Sequence, residues 1–196
     1  MIYTFDNFYE EKELDCIWKE LEFYNSLPKN YRERSETNLD VAKDEKGKAL
    51  GKSDRVYVNK IFTNYGKIYS HINNLSYKII SDHAEAIEMQ LPNGIQITDQ
   101  NSVHNMVSYY GPNDYYDTHH DVFQFTCLIW LYKQPKKFSG GDIYFELIDK
   151  HFECNNNRLI VFPSYLNHKV EKIIMSQDDY DNGYGRYTIT HFLHHS

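Results

Sequence analysis

Residues 103–132 have the sequence VHNMVSYYGPNDYYDTHHDVFQFTCLIWLY, and this stretch decides the fold class. Two runs rich in β-branched and aromatic residues, Val103–Tyr110 and Val122–Tyr132, flank a polar segment that contains Gly111 and Pro112. Runs of this kind, bounded by turn residues, are typical of β-strands. Further strands are predicted over Gly94–Thr98, Ile143–Glu146, Leu159–Phe162, His168–Ile174 and Arg186–Leu193. About seven or eight short strands indicate a sandwich or a barrel.

The first part of the chain has a different pattern. Apolar residues recur at helical spacing over Asp6–Tyr24 and again over Val56–Ala86, which predicts two helical regions, and Asp6 is a candidate cap of the first. Between them, Asn25–Ser53 is polar and lacks periodicity, so we predict a long loop. A loop of that length is either mobile or a lid that selects the substrate.

The size and composition of the chain indicate one domain. Its 196 residues are 41% hydrophobic, which is enough for one sizeable core. We therefore expect a single domain over 1–196, with helical support and the lid loop in about 1–85 and the β core in about 86–196. Three cysteines without a C-x-x-C pair are a poor disulfide framework, which favours a reducing compartment.

The charge of the chain restricts its partners. A formal net charge of -7 gives no positive surface for a nucleic acid or an anionic membrane, so a cationic or neutral partner is expected. The sequence shows no continuous apolar stretch as long as a membrane span, and its start lacks the layout of a signal peptide. These features predict a cytoplasmic protein. They do not define its oligomeric state.

A candidate metal site lies near the second strongly β-rich run. His119 and Asp121 are two residues apart, so in an extended chain their side chains would share one side. With ten histidines in the chain, about one such pair is expected by chance, and His83–Glu85 and His151–Glu153 are comparable. The stronger indication is His168, which opens a later predicted strand. Two imidazoles and one carboxylate leave coordination positions free, as in non-haem Fe(II) oxygenases.

The last predicted strand carries a candidate anion site. Its alternation places Arg186, Thr188, Thr190 and Phe192 on one face. An arginine that points into a β core needs an anion, and a guanidinium is well suited to clamping a carboxylate. A dicarboxylate held by Arg186 at one end could reach the metal with the other.

The order of these motifs resembles that of the prolyl 4-hydroxylase-like branch of the Fe(II)/2-oxoglutarate dioxygenases. The resemblance covers roughly Val103–Phe192. Its pieces are MVSYYGP (106–112), YDTHHD (116–121), TCLIWL (126–131), SGGDIYF (139–145), FP (162–163) before HKV (168–170), and GRYTIT (185–190). The resemblance implies a mainly β double-stranded β-helix, or jelly roll, with bracing α-helices. It also implies Fe(II) as cofactor, 2-oxoglutarate and O2 as co-substrates, and ascorbate as a candidate reductant.

The resemblance also implies residue roles. Three residues would bind iron and four would lie beside 2-oxoglutarate: His119, Asp121 and His168, and then Arg186, Tyr110, Thr190 and Trp130. Arg186 would pair with the distal carboxylate. Trp130 departs from the family, because many relatives have a tyrosine there. Met175–Tyr184 is longer than the usual connection and would either shape the substrate groove or form a surface loop.

The predicted function is hydroxylation of an unactivated C–H bond, with a prolyl residue of a protein or peptide as the first candidate substrate. Hydroxylation of a free amino acid or another small molecule is the main alternative, and a non-catalytic jelly-roll binding module is the second. A nucleic-acid demethylase of this fold would usually carry a second arginine six residues after the first, where this chain has Phe192. His191, His194 and His195 are interpreted as surface or terminal residues.

Overall fold

The computed structural model describes residues 2–28, 33–34, 41–62, 69–83, 86–87 and 90–195. Within these ranges the chain forms two antiparallel sheets and several helices. The larger sheet has seven strands in the order β1 (Tyr3–Phe5), β10 (Arg158–Pro163), β7 (Phe125–Leu131), β12 (Arg186–His194), β5 (Ser102–Tyr110), β4 (Asp54–Tyr57) and β2 (Glu33–Arg34). The smaller sheet has five strands in the order β3 (Gly51–Lys52), β6 (Tyr115–His119), β11 (His168–Val170), β8 (Ile143–Phe145) and β9 (Lys150–Phe152). The predicted jelly roll with bracing helices is confirmed.

The helices are α1 (Glu11–Ser26), α2 (Val58–Ile61), α3 (His71–Leu75), α4 (Lys78–His83) and α5 (Gln177–Asp181), with 3-10 turns at Ile97–Asp99 and Glu146–Ile148. The prediction of a helix from Asp6 is wrong at its start. Glu10 caps α1 through a capping box with Glu13, whereas Asp6 binds the guanidinium of Arg158. The preceding residues Tyr3–Phe5 pair with β10 instead. No helix in the described part of the chain is long and apolar enough to cross a membrane.

The second predicted helical region is only partly helical. Its beginning, within Val56–Ala86, belongs to β4, which pairs in antiparallel register with β5. Pairing with a long central strand therefore overrides the local apolar pattern. The helical part is divided among α2, α3 and α4. Residues 1–85 thus supply strands to both sheets as well as helices.

The predicted loops contain regular structure. Asn25–Ser53 includes the end of α1, the strands β2 and β3, and a bridge between Lys43 and Ala49, while residues 29–32 and 35–40 lie outside the described residues. Met175–Tyr184, for which a part of the substrate groove and a surface loop are the two expectations, contains α5. There the ring of Tyr180 stacks on Tyr109 with ring centroids 4.7 Å apart. This segment is packed against the larger sheet.

Several predicted strand bounds also change. Gly94–Thr98 is a turn followed by a 3-10 turn, not a strand. The run predicted over Val122–Tyr132 becomes a strand only at Phe125, and Val122 is 88% exposed. The strand β6, which carries His119, was not predicted. Its polar sequence YYDTH has no apolar alternation, and it is held by its pairing with β3 and β11.

Strand β12 separates the helix-side core from the cavity between the sheets. Tyr187, Ile189 and Leu193 face the helix-side core, which packs against α1 and the short helices. His191 lies on the same side, is fully buried and contacts Asn105, so its interpretation as a surface residue was wrong. The alternate residues of β12 face the other way, and these carry the candidate site.

Candidate metal and co-substrate site

The three predicted iron ligands converge. His119 ends β6, Asp121 lies in the following turn, and His168 opens β11 directly across from His119. One ligand atom from each lies within 4.8 Å of the others. The Asp121 carboxylate oxygens are 3.7 Å from Nε2 of His119 and 3.8 Å from Nε2 of His168. Among the described residues, no other group of three such side chains is this close.

Backbone carbonyls fix which nitrogen of each imidazole faces the cluster. The Nδ1 atom of His119 is 2.8 Å from the carbonyl of Asp117, and Nδ1 of His168 is 2.9 Å from the carbonyl of Leu166. A carbonyl can only accept, so each Nδ1 carries the hydrogen and each Nε2 presents a lone pair. Burial also lowers the pKa of His119 well below its ordinary value. His119 is therefore neutral at pH 7, as metal binding requires.

A buried hydroxyl orients the carboxylate. The Oγ1 atom of Thr126 donates a hydrogen bond to Oδ2 of Asp121 at 2.7 Å and lies 2.8 Å from the hydroxyl of Ser164. The Asp121 backbone N–H donates to the Ser164 carbonyl at 2.9 Å. These contacts leave Oδ1 of Asp121 turned toward His119. The sequence motifs did not identify Thr126 or Ser164 as residues of the metal site.

Neither rival histidine belongs to a comparable group among the described residues, and Glu85 lies outside them. His83 stacks on the ring of Phe5 at 4.3 Å between centroids. His151 is half exposed, and its Nδ1 is 3.3 Å from the exposed carboxylate of Glu171. The structure thus separates the metal candidate from the chance pairs that the sequence alone could not exclude.

Arg186 is fully buried between the sheets. Among the described residues its three guanidinium nitrogens have no hydrogen-bond partner. The thiol of Cys154 lies nearby, but burial raises its pKa more than Arg186 lowers it, so the thiol stays neutral. Because an arginine cannot lose its proton in a protein, an uncompensated charge is buried here. That charge requires an anionic ligand.

Glycine allows the chain to pass this guanidinium. Gly141 has φ +82°, and a β-carbon at this position would lie 2.9 Å from Cδ of Arg186 and 2.6 Å from Cδ1 of Ile173. Both the left-handed backbone and the close approach require glycine. The SGGD motif therefore shapes the arginine site.

The other predicted co-substrate residues surround Arg186 to different degrees. The ring of Tyr110, directly across from Arg186 in the sheet, lies 4.8 Å from Cζ. Thr190, four residues after Arg186 in β12, lines the same cavity. Trp130 is fully buried with its ring 5.6 Å from Cζ, but it does not line the cavity. Trp130 therefore contacts the guanidinium on the side that faces away from the cavity.

A cavity of about 660 Å³ connects the arginine to the metal cluster. This volume is within the range of small-molecule sites. Its lining includes residues that sequence reasoning missed: Val41, Ala42, Arg55, Tyr57, Lys60, His104, Met106 and Ser108. The alternation of β5 could have identified Met106 and Ser108. By contrast, Tyr57 and Lys60 lie in the region predicted to be helical, and Arg55 lies just before it.

The residues present fit both groups that the motifs imply. Two imidazoles and a carboxylate on one side of a cavity match the ligand set of an open Fe(II) site. A buried guanidinium without an acid partner, at the other end of the same cavity, matches a dicarboxylate that also reaches the metal.

Comparison with known families agrees with this geometry. Residues 105–194 match the family model of the 2OG-Fe(II) oxygenase superfamily. Over this segment, which is just under half of the chain, the protein resembles the 2OG-Fe(II) oxygenases. All three candidate iron ligands and Arg186 lie inside it, so the resemblance to this family is confirmed. A search of curated proteins found no significant match to the chain.

Solved structures extend the likeness to nearly the whole chain. A prolyl-4-hydroxylase from Pseudomonas putida aligns with 100% of this chain and 92% of its own, at 13% identity and a TM-score of 0.64. An oxidoreductase of the 2OG-Fe(II) oxygenase family from Burkholderia pseudomallei aligns over 98% of this chain and 84% of its own, at 11% identity and a TM-score of 0.58. A viral collagen prolyl hydroxylase from Paramecium bursaria Chlorella virus 1 covers 100% and 96%, at 9% identity and a TM-score of 0.54. At these identities the likeness concerns the fold.

Proposed function

We propose that this 2OG-Fe(II) oxygenase hydroxylates an unactivated C–H bond, with a prolyl residue of a protein or peptide as its substrate. One observation carries the co-substrate assignment: Arg186 is a buried, unpartnered cation at one end of the cavity that holds the His119, Asp121 and His168 cluster. A structural arginine would have an acid partner, whereas a ligand-binding arginine is left without one until the ligand arrives. When bound, Fe(II), 2-oxoglutarate and O2 supply the oxidising chemistry.

In this proposal the chain's own residues bind and orient. His119, Asp121 and His168 hold the metal on one face and leave the opposite positions open toward the cavity. Arg186 fixes the distal carboxylate of 2-oxoglutarate, while Tyr110 and Thr190 confine its carbon chain. Trp130 packs against the guanidinium and keeps water from it. Ascorbate as reductant remains a prediction from the resemblance.

The prolyl substrate is supported by fold and by the cavity lining. Two of the structures similar in fold bear the names prolyl-4-hydroxylase and collagen prolyl hydroxylase. Near the metal cluster the cavity is lined by Phe123 and Phe192, whose rings stack at 4.6 Å between centroids. Aromatic walls suit a proline ring. Tyr116 also lines the cavity, whereas Tyr132 packs against Phe138.

A free amino acid or another small molecule is the second candidate. The cavity volume of about 660 Å³ accommodates 2-oxoglutarate and one further small molecule. A peptide instead needs a groove that continues beyond the cavity. Val41 and Ala42, from the segment predicted as a lid, line the cavity and therefore lie where either substrate would bind.

An anaerobic titration with Fe(II) and then 2-oxoglutarate tests the proposed function. Bidentate chelation of Fe(II) by a 2-oxo acid gives a visible charge-transfer band, which we expect in the wild-type protein. The band should vanish in His168→Ala and should require about 100-fold more 2-oxoglutarate in Arg186→Ala, since a charged bidentate contact is lost. Folded, iron-loaded wild type without any band would contradict the oxygenase assignment and favour a non-catalytic binding module.

Turnover with candidate substrates tests the finer assignment. A proline-containing peptide that couples succinate formation to its own hydroxylation would support the peptide substrate. Coupling with free L-proline alone would favour the small-molecule alternative. In both assays the His168→Ala variant serves as the blank.

A further inference from the structure

A second arginine in the cavity lacks an acid partner. Arg55 on β4 is 3% exposed and lines the cavity. Its Nε is 3.4 Å from the hydroxyl of Ser53, and its Cζ lies 4.7 Å from the ring centre of Tyr116. No described carboxylate contacts its guanidinium. It is a permanent positive charge that, among the described residues, contacts a hydroxyl and an aromatic ring but no carboxylate.

Two acids on neighbouring elements, Asp54 and Asp114, are bound to another arginine. Asp54 accepts from Arg34 at 3.1 Å and from the hydroxyl of Tyr180 at 2.7 Å. Asp114 accepts from both terminal nitrogens of Arg34, at 3.3 and 3.0 Å, and from the backbone N–H of Gly111. Arg34 thus has two carboxylates, while Arg55, next in sequence to Asp54, has none among the described residues. This pairing keeps Asp54 and Asp114 from Arg55 and leaves its guanidinium to a ligand.

Arg55 belongs to a different part of the cavity from Arg186. Strand β4 is separated from β12 by β5, so the two backbones lie about 10 Å apart at ordinary strand spacing. The part of the cavity beside Arg55, which we call the Arg55 lobe, includes Tyr57, Lys60 and Tyr116, whereas Arg186 pairs in the sheet with Tyr110. A molecule that reaches from Arg186 to the metal would leave this lobe free.

The Arg55 lobe is close to the metal cluster. The ring of Tyr116 lies between the guanidinium of Arg55 and the imidazole of His119, stacking on His119 at 3.5 Å between centroids. The hydroxyl of Tyr116 accepts from the backbone N–H of Ala42 at 3.1 Å, which fixes the ring. Only the ring of Tyr116 would therefore separate a group bound to Arg55 from His119, a candidate iron ligand.

Charge balance agrees with a ligand at this position. With the proposed groups bound, Fe(II) and Arg186 carry three positive charges, and Asp121 and 2-oxoglutarate carry three negative charges. The co-substrate site is then neutral, and the charge of Arg55 remains. Lys60, whose ammonium lies 4.3 Å from the Tyr57 ring centre, adds a second positive group to the lining of this lobe.

We propose that Arg55 binds a carboxylate of the primary substrate, which makes this enzyme specific for an acid whose reactive carbon lies close to its carboxylate. The inference rests on the proposed function, because it assumes that Arg186 and the metal take the co-substrate. The carboxylate can be that of a free amino acid or the C-terminal one of a short peptide. Both sources supply a carboxylate, which a guanidinium can bind with two parallel hydrogen bonds.

Matched acids and amides test the inference. Under anaerobic conditions the Fe(II) and 2-oxoglutarate complex is titrated with L-proline, L-prolinamide, Gly-Pro-Gly and Gly-Pro-Gly amide, and the shift of the charge-transfer band gives each affinity. In wild type we expect one acid to bind about 10- to 100-fold more tightly than its amide. In Arg55→Met this preference should disappear, and in Arg55→Lys part of it should remain. The pair that discriminates identifies the source of the carboxylate.

The controls separate this inference from the proposed function. Arg158→Met removes an arginine that pairs with Asp6 outside the cavity, and it should leave every affinity unchanged. The inference is overturned if no acid binds better than its amide, or if the preference survives in Arg55→Met. It is also overturned if Arg55→Met weakens 2-oxoglutarate as much as Arg186→Met does. A missing band in wild type would overturn the proposed function itself.

Discussion

Replacing Arg186 with methionine should make the ligand-free protein more stable and the ligand-bound protein less so. Methionine has a similar length and no charge, so it fills the same space between Tyr110 and Trp130 without a buried ion. Burying an unpaired ion costs several kcal/mol, and two cation–π contacts recover about 1 to 2 kcal/mol each. We therefore expect Arg186→Met to raise the free energy of unfolding by about 1 to 3 kcal/mol without ligand.

Ligand binding should make the wild type more stable than the Arg186→Met variant. With Mn(II) in place of Fe(II) and 2-oxoglutarate at about 100 times its Kd, the wild type gains about 2.7 kcal/mol from binding. The variant gains much less, because it lacks the cation that holds the distal carboxylate. Urea unfolding followed by circular dichroism, with chelator or with Mn(II) and 2-oxoglutarate, measures both differences.

Arg158→Met is the matched control for this experiment. It removes an arginine whose partner is the exposed carboxylate of Asp6, so its loss should change stability by about 0 to 1 kcal/mol and leave the ligand effect intact. An Arg186→Met protein that is less stable than wild type without ligand would refute the reasoning. In that case the guanidinium would be satisfied by contacts within the fold.

Three further predictions concern residues around the site. His191 is buried, and burial lowers its pKa to about 3, below the ordinary 6.5, so the unfolded chain takes up the proton first. Stability should therefore fall by about 2 kcal/mol between pH 7 and pH 5, and His191→Gln should show a smaller fall in urea titrations at both pH values. Thr126→Val should weaken metal binding by about 10- to 100-fold, whereas Thr126→Ser should retain it, as measured by Mn(II) titration. Gly141→Ala should destabilise the fold and weaken 2-oxoglutarate binding, because its β-carbon would meet Arg186; unchanged affinity by band titration would contradict this.

The β core was predictable because its strands are long and regular. In β12 the alternation of Arg186, Thr188 and Thr190 with apolar residues assigns one face to the cavity and the other to the core, and the structure shows that division. The same rule, applied to β5, places Met106 and Ser108 in the cavity lining. Where a strand has a period of two and both faces are buried, sequence determines which side chains meet.

The parts that sequence reasoning missed depend on contacts between distant segments. Strand β6 is polar and short, and it is a strand only because β3 and β11 pair with it. Asp6 is of a residue type that often caps helices, but it binds Arg158 instead, which lies 152 positions further along the chain. The orientation of Asp121 likewise depends on the hydroxyls of Thr126 and Ser164, whose residue types alone predict nothing about a metal.

The net charge of the chain and the charge of its cavity have opposite signs. A net charge of -7 predicted a cationic or neutral partner, because total charge governs the field outside the protein. Among the described residues, however, the cavity lining includes Arg55, Lys60 and Arg186 and a single carboxylate, that of Asp121. Within a buried cavity, local charges are screened little and determine which ligand binds. The negative net charge therefore disfavours a nucleic acid as partner, whereas the charges of the cavity lining favour small anions, which is the basis of the proposed co-substrate and substrate.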